Sequence, residues 1–224
     1  MTGVQTCALP ISAKKLSAVR AKAATKLGTT VTEELQGLAM QKARFEVALT
    51  SIEACASGID QVEFQLAANA FAQPRPLASS ASGGELSRVM LALEVILAAG
   101  TTGTTLVFDE VDAGVGGRAA VEIGRRLARL ATKNQVIVVT HLPQVAAYAD
   151  THLHVAKNVG EASVTSGVES LTFDRRVEEL SRMLAGLDDT ATGRAHATEL
   201  LERAQREKED INEERVEPLL AASA

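Results

Sequence analysis

The stretch TTLVFDEVDAGVGG, residues 104–117, decides how this 224-residue chain is read. Thr105–Phe108 is a short apolar run entered from the turn-like Gly100–Thr104, and two carboxylates, Asp109 and Glu110, follow at once. So short an apolar run suits a strand buried on both faces. Adjacent strand residues point to opposite faces, so the two acids can do different work. Downstream, QVIVVTHLPQVAAYAD (135–150) repeats the design: the β-branched run Val136–Val139 ends in Thr140-His141. Between the two runs, Arg118–Leu130 carries Val121, Leu127 and Leu130 at helical spacing. Strand, helix, strand is a βαβ crossover, which requires a parallel pair with a right-handed connection. Asp109, Glu110 and His141 are therefore expected at the carboxyl edge of one sheet, where ligands bind in open α/β folds.

The upstream stretch SSASGGELSRVMLALEVIL (79–97) supplies a different device. Leu86, Val89, Met90, Leu93, Ile96 and Leu97 form one apolar face of a helix. Ser82 is placed to cap that helix, and Glu85, three residues on, completes a capping-box pattern. Gly83 and Gly84 leave room for close backbone approach. Free amides and the helix dipole together make an anion site, most naturally for phosphate.

With these residues in view, the chain resembles the ABC-type ATPases. Ser82-Gly83-Gly84-Glu85 is similar to their signature motif, Leu106–Glu110 to the Walker B strand, Asp112 to the D-loop aspartate and His141 to the switch histidine. The wording SGGELSR, FDEVDAGVGG and VTHLPQVAAYAD is more specifically similar to the RecN family of bacterial SMC-like DNA repair ATPases, from about Leu16 to Leu201. The fold implied is α/β: the C-terminal part of an ABC/SMC-type P-loop ATPase head, with a parallel βαβ core, an N-terminal coiled-coil-like helix and C-terminal helices.

Composition sets the outer bounds. Hydrophobic residues make up 46% of the chain, enough for a real core, and aromatics only 3%, so that core is aliphatic. A net charge of −5 argues against a globally basic nucleic-acid binder. No apolar run is long enough to span a bilayer, and no basic region followed by an apolar stretch marks a secretory leader. Cys7 and Cys55 lie outside any CxxC and read as reduced thiols of a cytosolic protein. The resemblance adds a cytoplasmic, nucleoid-associated location and no membrane partner.

Along the chain, residues 1–11 show no period and read as a non-native or disordered leader. Residues 12–40, with Leu16, Val19, Ala23, Leu27, Val31, Leu35 and Leu38 near helical spacing, read as a surface helix or, by the resemblance, as the end of a coiled-coil arm; Gly28-Thr29-Thr30 is expected to interrupt it. Residues 41–204 form the C-terminal lobe of the head, and 205–224 a charged helical tail. Within the head, Ala43–Leu49 and Gln61–Ala67 alternate like half-buried antiparallel strands, and Asn69–Ala81 is a loop. Phe173–Leu184 and Thr192–Ala204 read as amphipathic helices, and 152–168 as a hairpin turning at Asn158-Val159-Gly160. Lys14-Lys15 and Arg175-Arg176 are too sparse for a DNA site, and His152, His154 and His196 read as structural.

The pattern G-x-x-x-x-G-K-[ST], which holds phosphates and Mg²⁺ in such hydrolases, does not occur in the chain. In the resembled family that loop lies upstream of the coiled coil, so the chain is expected to be inactive alone and to continue upstream. The resemblance assigns Asp109 to Mg²⁺, Glu110 to polarising the attacking water, and His141 to the γ-phosphate of ATP. It assigns Asp112 to communication across a dimer, the alternative being a cap on the Gly-rich turn. Ser82, Gly83, Gly84 and Glu85 would meet ATP held by a second copy. Two heads then sandwich ATP, and their engagement moves coiled coils that tether double-stranded DNA during double-strand-break repair and recombination. Two other readings stand beside this one: the nucleotide-binding subunit of an ABC transporter, and a non-catalytic interaction module. Transporter heads usually carry SGGQ, whereas this chain has Glu85 after the glycines.

Overall fold

The computed structural model describes residues 3–97, 102–159, 164–185 and 190–221. Met1, Thr2, Gly100, Thr101 and Gly160, which enter the expectations above, lie outside them, as does the side chain of Cys7. The chain divides into two compact units, Met1–Leu97 and Ala98–Ala224.

The first unit is a helix laid on a hairpin. Helix α1 (Gly3–Gly37) precedes strands β1 (Arg44–Cys55), β2 (Gly58–Ala67) and β3 (Arg75–Pro76), then the short α2 (Leu77–Ser80) and α3 (Gly83–Leu97). The strands form an antiparallel sheet in the order β1-β2-β3, with Phe45 opposite Leu66 and Val47 opposite Phe64. Val31, Leu35, Leu38, Phe45, Leu66, Val89 and Leu91 are buried, so aliphatic side chains from helix and sheet make the core. The Phe45 and Phe64 rings lie 5.5 Å apart and tilted, the one aromatic contact among the described residues.

This unit departs from the sequence reading in several places: β3 and α2 fall within the expected loop 69–81, and α1 begins at Gly3, inside the expected leader. α1 runs unbroken through Gly28-Thr29-Thr30. Gly28 lies where the helix crosses β1: a Cβ there would stand 3.3 Å from the Phe45 carbonyl oxygen. Thr32 Oγ1 locks the crossing, accepting the Phe45 amide at 3.0 Å and donating to the Gly28 carbonyl at 2.7 Å. Tertiary contact thus offsets the roughly 1 kcal/mol that a mid-helix glycine forgoes. In α3, the buried apolar side chains are Val89, Leu91, Ala92 and Leu93, with Gly84 and Arg88 buried beside them, while Leu86, Met90 and Leu97 are exposed. This helix is apolar on nearly every side, so periodicity alone does not choose the face that packs.

The second unit contains the βαβ element. β4 (Thr105–Phe108), α4 (Gly117–Ala131) and β5 (Gln135–Val138) give a parallel pair in which Thr105 faces Gln135 and Phe108 faces Val138. Then come α5 (Pro143–Ala146), the antiparallel hairpin β6 (Leu153–Val159) and β7 (Val164–Ser170), α6 (Phe173–Ala185) and α7 (Ala191–Ala221). Ala146, Tyr148, Val177, Leu180, Ala197 and Leu201 make a buried cluster from α5 and its C-terminal turn, α6 and α7. The β4–β5 pair is more open than its sequence suggests: Val107 is 66% and Ile137 47% exposed, and no further strand pairs with either strand among the described residues.

Two packing devices fix α5. A Cβ on Gly124 of α4 would fall 2.4 Å from the Tyr148 ring, so the absence of a side chain lets that ring lie flat on the helix. Arg176 caps the other side, its Nη2 donating to the carbonyls of Ala147 and Ala149 at 3.3 and 2.9 Å. Among the described residues, no helix is long and apolar enough to cross a membrane.

Candidate functional site

Because β4 and β5 run parallel, the segments leaving them emerge at one edge. Asp109 and Glu110 leave β4 there, and Thr140 and His141 leave β5, with the Val139 amide donating to the Phe108 carbonyl at 3.0 Å to extend the pairing. Asp109 and Glu110 are exposed. Glu110 adopts φ 55°, the left-handed region that non-glycine residues rarely enter. The backbone therefore reverses sharply at the second acid, and Ala113 closes the turn by donating to the Glu110 carbonyl at 3.0 Å. Nothing in the residue types announces this; glutamate is not a residue chosen for such turns.

Asp112 does what neither neighbouring acid does: it turns inward and is 1% exposed. Its Oδ2 accepts a short hydrogen bond from the Thr140 hydroxyl and a longer one, 3.3 Å, from the His141 amide. The His141 ring nitrogen Nδ1 stands 3.5 Å from the same oxygen, while the side chain remains 71% exposed. Thr140 in turn accepts the Leu142 amide at 3.0 Å. One buried carboxylate thus ties the loop after β4 to the loop after β5 and holds the base of the histidine while its far side meets solvent. The contacts of the Asp112 side chain lie within its own unit, where the sequence reading weighed a role across a dimer against a turn cap.

In the first unit, the capping box expected from Ser82 and Glu85 is present in both directions. Ser82 N donates to Glu85 Oε2 at 2.9 Å, and Glu85 N to Ser82 Oγ at 3.3 Å. The amides of Gly83 and Gly84 have no acceptor within the helix. Ser82 and Gly83 are exposed, so this helix start is open to solvent, and Gly84 is buried.

The donor set for an ATP–Mg²⁺ group is partial. Among the described residues no three His, Cys, Asp or Glu side chains gather to hold a metal. Mg²⁺ commonly takes one or two carboxylates and completes its shell with phosphate oxygens and water, so the exposed Asp109 fits that pattern. Elsewhere, burial and the nearby Arg176 charge push His152 below the ordinary histidine value, which favours its neutral form. Cys55 is an exposed free thiol.

Comparison with known proteins gives a homology consistent with this geometry. The DNA repair protein RecN of Mycobacterium leprae is 54% identical over 218 residues, covering 88% of this chain and 37% of the relative. RecN of Streptomyces coelicolor is 52% identical over 209 residues and that of Bacillus subtilis 36% over 214. The chain therefore spans 37% of the length of the first curated relative it matches. No protein-family model matches it. Among solved structures, the Smc head domain with a coiled coil and joint from Pyrococcus yayanosii aligns with a TM-score of 0.52 at 21% identity, over 75% of this chain and 31% of that one. An Smc head domain with an extended coiled coil from Pyrococcus furiosus gives 0.50 at 20%, over 74% and 39%. The RecN/SMC-type head homology expected from the motifs is thus found, and the fold is of the mixed α/β kind seen in SMC heads.

Proposed function

We propose that this chain is the C-terminal portion of a RecN-like ATPase head acting in DNA double-strand-break repair. The observation that carries the reading is the meeting of Asp109 and Glu110 with Thr140 and His141 at one strand edge, tied by the buried Asp112. The homology to RecN proteins supports it.

In this reading Asp109 would hold Mg²⁺, and His141 would contact the γ-phosphate of ATP. Bound ATP supplies the phosphoanhydride bond to be broken, with Mg²⁺ neutralising charge on its phosphates. Glu110 orients the attacking water and takes its proton as general base. Asp112 and Thr140 act on His141 as positioning residues. Ser82, Gly83, Gly84 and Glu85 offer an open helix start to the ATP held by a second copy, so that two heads close over nucleotide and open after hydrolysis. Double-stranded DNA is engaged through the whole protein.

The test uses the full-length gene product that carries this segment, as wild type and as Glu110→Gln. Mg²⁺-dependent ATP turnover falls on the order of 10²- to 10⁴-fold in the variant while nucleotide binding persists and the dimer accumulates. Turnover equal to wild type would remove Glu110 from this role. Stimulation of wild-type turnover by linear duplex DNA distinguishes repair from transport.

A further inference from the structure

Glu207 and Lys208 stand in the charged tail of the chain, where the residue types suggest a solvated helix end. Yet their side chains are each only 15% exposed. Both reach the stretch that follows His141. Glu207 accepts the Tyr148 hydroxyl, and Lys208 pairs with Asp150. Arg125 of α4 donates to the same Glu207 carboxylate at 2.9 and 2.8 Å, so the acid is itself fixed in place. A solvated helix face needs none of these partners.

These contacts hold the far end of a stiff segment. From Leu142 to Ala149 the backbone closes one turn upon the next. Ala146 donates to the Leu142 carbonyl at 3.1 Å, Ala147 to that of Pro143 at 3.0 Å and Ala149 to that of Ala146 at 3.2 Å. Val145, Ala146, Ala147 and Tyr148 are buried. Close-packed turns of this kind pass a displacement along rather than absorb it. At the near end stands His141, its amide held by Asp112. We propose that Glu207 and Lys208 are positioning residues for His141: the C-terminal helix α7 latches the segment behind the histidine and so sets where its ring stands at the strand edge. This role in the reaction presumes that His141 contacts nucleotide, as proposed above; the latch itself needs neither nucleotide nor turnover.

The latch is opened in the 224-residue chain by Glu207→Gln/Lys208→Met and, from the other side, by the milder Tyr148→Phe/Asp150→Asn. Leu184→Ala, a truncation beside the same core cluster but outside the latch, is the control. Ring ¹⁵N spectra of histidine-labelled protein are recorded for each, with the His141 signals assigned through His141→Gln. Opening the latch should shift or broaden the His141 resonances and leave those of the exposed His196 in place. The control should leave both as they are. Circular dichroism melts establish which variants fold, and Tyr148→Phe/Asp150→Asn carries the test if the other pair does not. In the full-length gene product, the latch variants should lower ATP turnover on the order of tenfold while nucleotide binding persists, since a small misplacement far from the chemistry costs up to about 100-fold. Lys208→Arg keeps the ion pair and should keep the wild-type rate. An unchanged His141 spectrum in a folded latch variant, an equal change in the control, or wild-type turnover in the latch variants would each overturn the proposal. A full-length protein without ATPase activity would sink the repair reading and leave the spectral result standing.

Discussion

Asp112 and Thr140, 28 residues apart, meet through a short hydrogen bond that joins the loops leaving two parallel strands. The contact is internal to one unit, and it places a buried carboxylate directly behind His141. Removing it frees the His141 amide and leaves the Thr140 hydroxyl, which itself accepts the Leu142 amide, to find a new acceptor.

Asp112→Ala should therefore destabilise the second unit by about 2 kcal/mol, the usual size for losing a buried, multiply bonded acceptor. Hydrogen exchange at His141 and Leu142 should accelerate more than exchange in α4. Uniform acceleration across the chain would show only global loss of stability.

Glu110 holds a positive φ, and this makes a sign-reversed prediction. At most positions glycine is less stabilising than alanine. Here Glu110→Gly should be more stable than Glu110→Ala by about 1 kcal/mol, because alanine keeps the left-handed strain that glycine lacks. Paired thermal melts check it, and an alanine variant that melts higher would contradict the backbone geometry.

Gly124→Ala should cost about 1–3 kcal/mol, since its methyl group meets the Tyr148 ring and the core there is closed. Tyr148→Leu in the same chain should recover part of that loss. A double-mutant cycle in chemical denaturation measures the coupling, which is absent if the ring simply moves aside.

The cluster around Glu207 sets an acid limit. Arg125 grips its carboxylate at 2.9 and 2.8 Å, Arg203 donates at 2.9 Å, and the Tyr148 hydroxyl donates as well. The Arg125 hydrogen bond is the largest cause that holds Glu207 at about 2, below the ordinary value of 4.5. A depressed folded-state value contributes stability above the unfolded one and loses it as protons return, so the loss falls between pH 4.5 and 2. Arg125 and Arg203 are 41% and 56% exposed, and screening limits each pair to about 1 kcal/mol. Glu207→Gln should lower the melting temperature at pH 7 and flatten its fall across that window.

The 224-residue chain, without a G-x-x-x-x-G-K-[ST] loop, should hydrolyse no ATP above background. Magnesium-dependent turnover by a clean preparation, removed by Glu110→Gln, would contradict this.

Much of the second unit was legible in the residues. Short apolar runs ending in polar residues gave β4 and β5, and helical spacing between them required the parallel crossover. The capping box at Ser82 and Glu85 is likewise local chemistry written at fixed spacing. What stayed hidden depends on distant partners. Gly28 reads as a helix breaker until Phe45 is placed across it, and Asp112 reads as a turn cap or a residue facing a second copy until Thr140 comes beside it. The packing face of α3 was hidden for another reason: too many of its positions are apolar for any one side to be singled out. No residue type foretells the turn at Glu110.

The openness of the β4–β5 pair has a consequence for the chain in solution. With no further strand beside them among the described residues, the two strands present bare backbone alongside Val107, Ile137 and Val139. Such a border recruits other extended chains. Colloidal lifetime, more than melting temperature, will then govern how concentrated this polypeptide can be kept, and crowding should convert it to oligomers long before heat unfolds it.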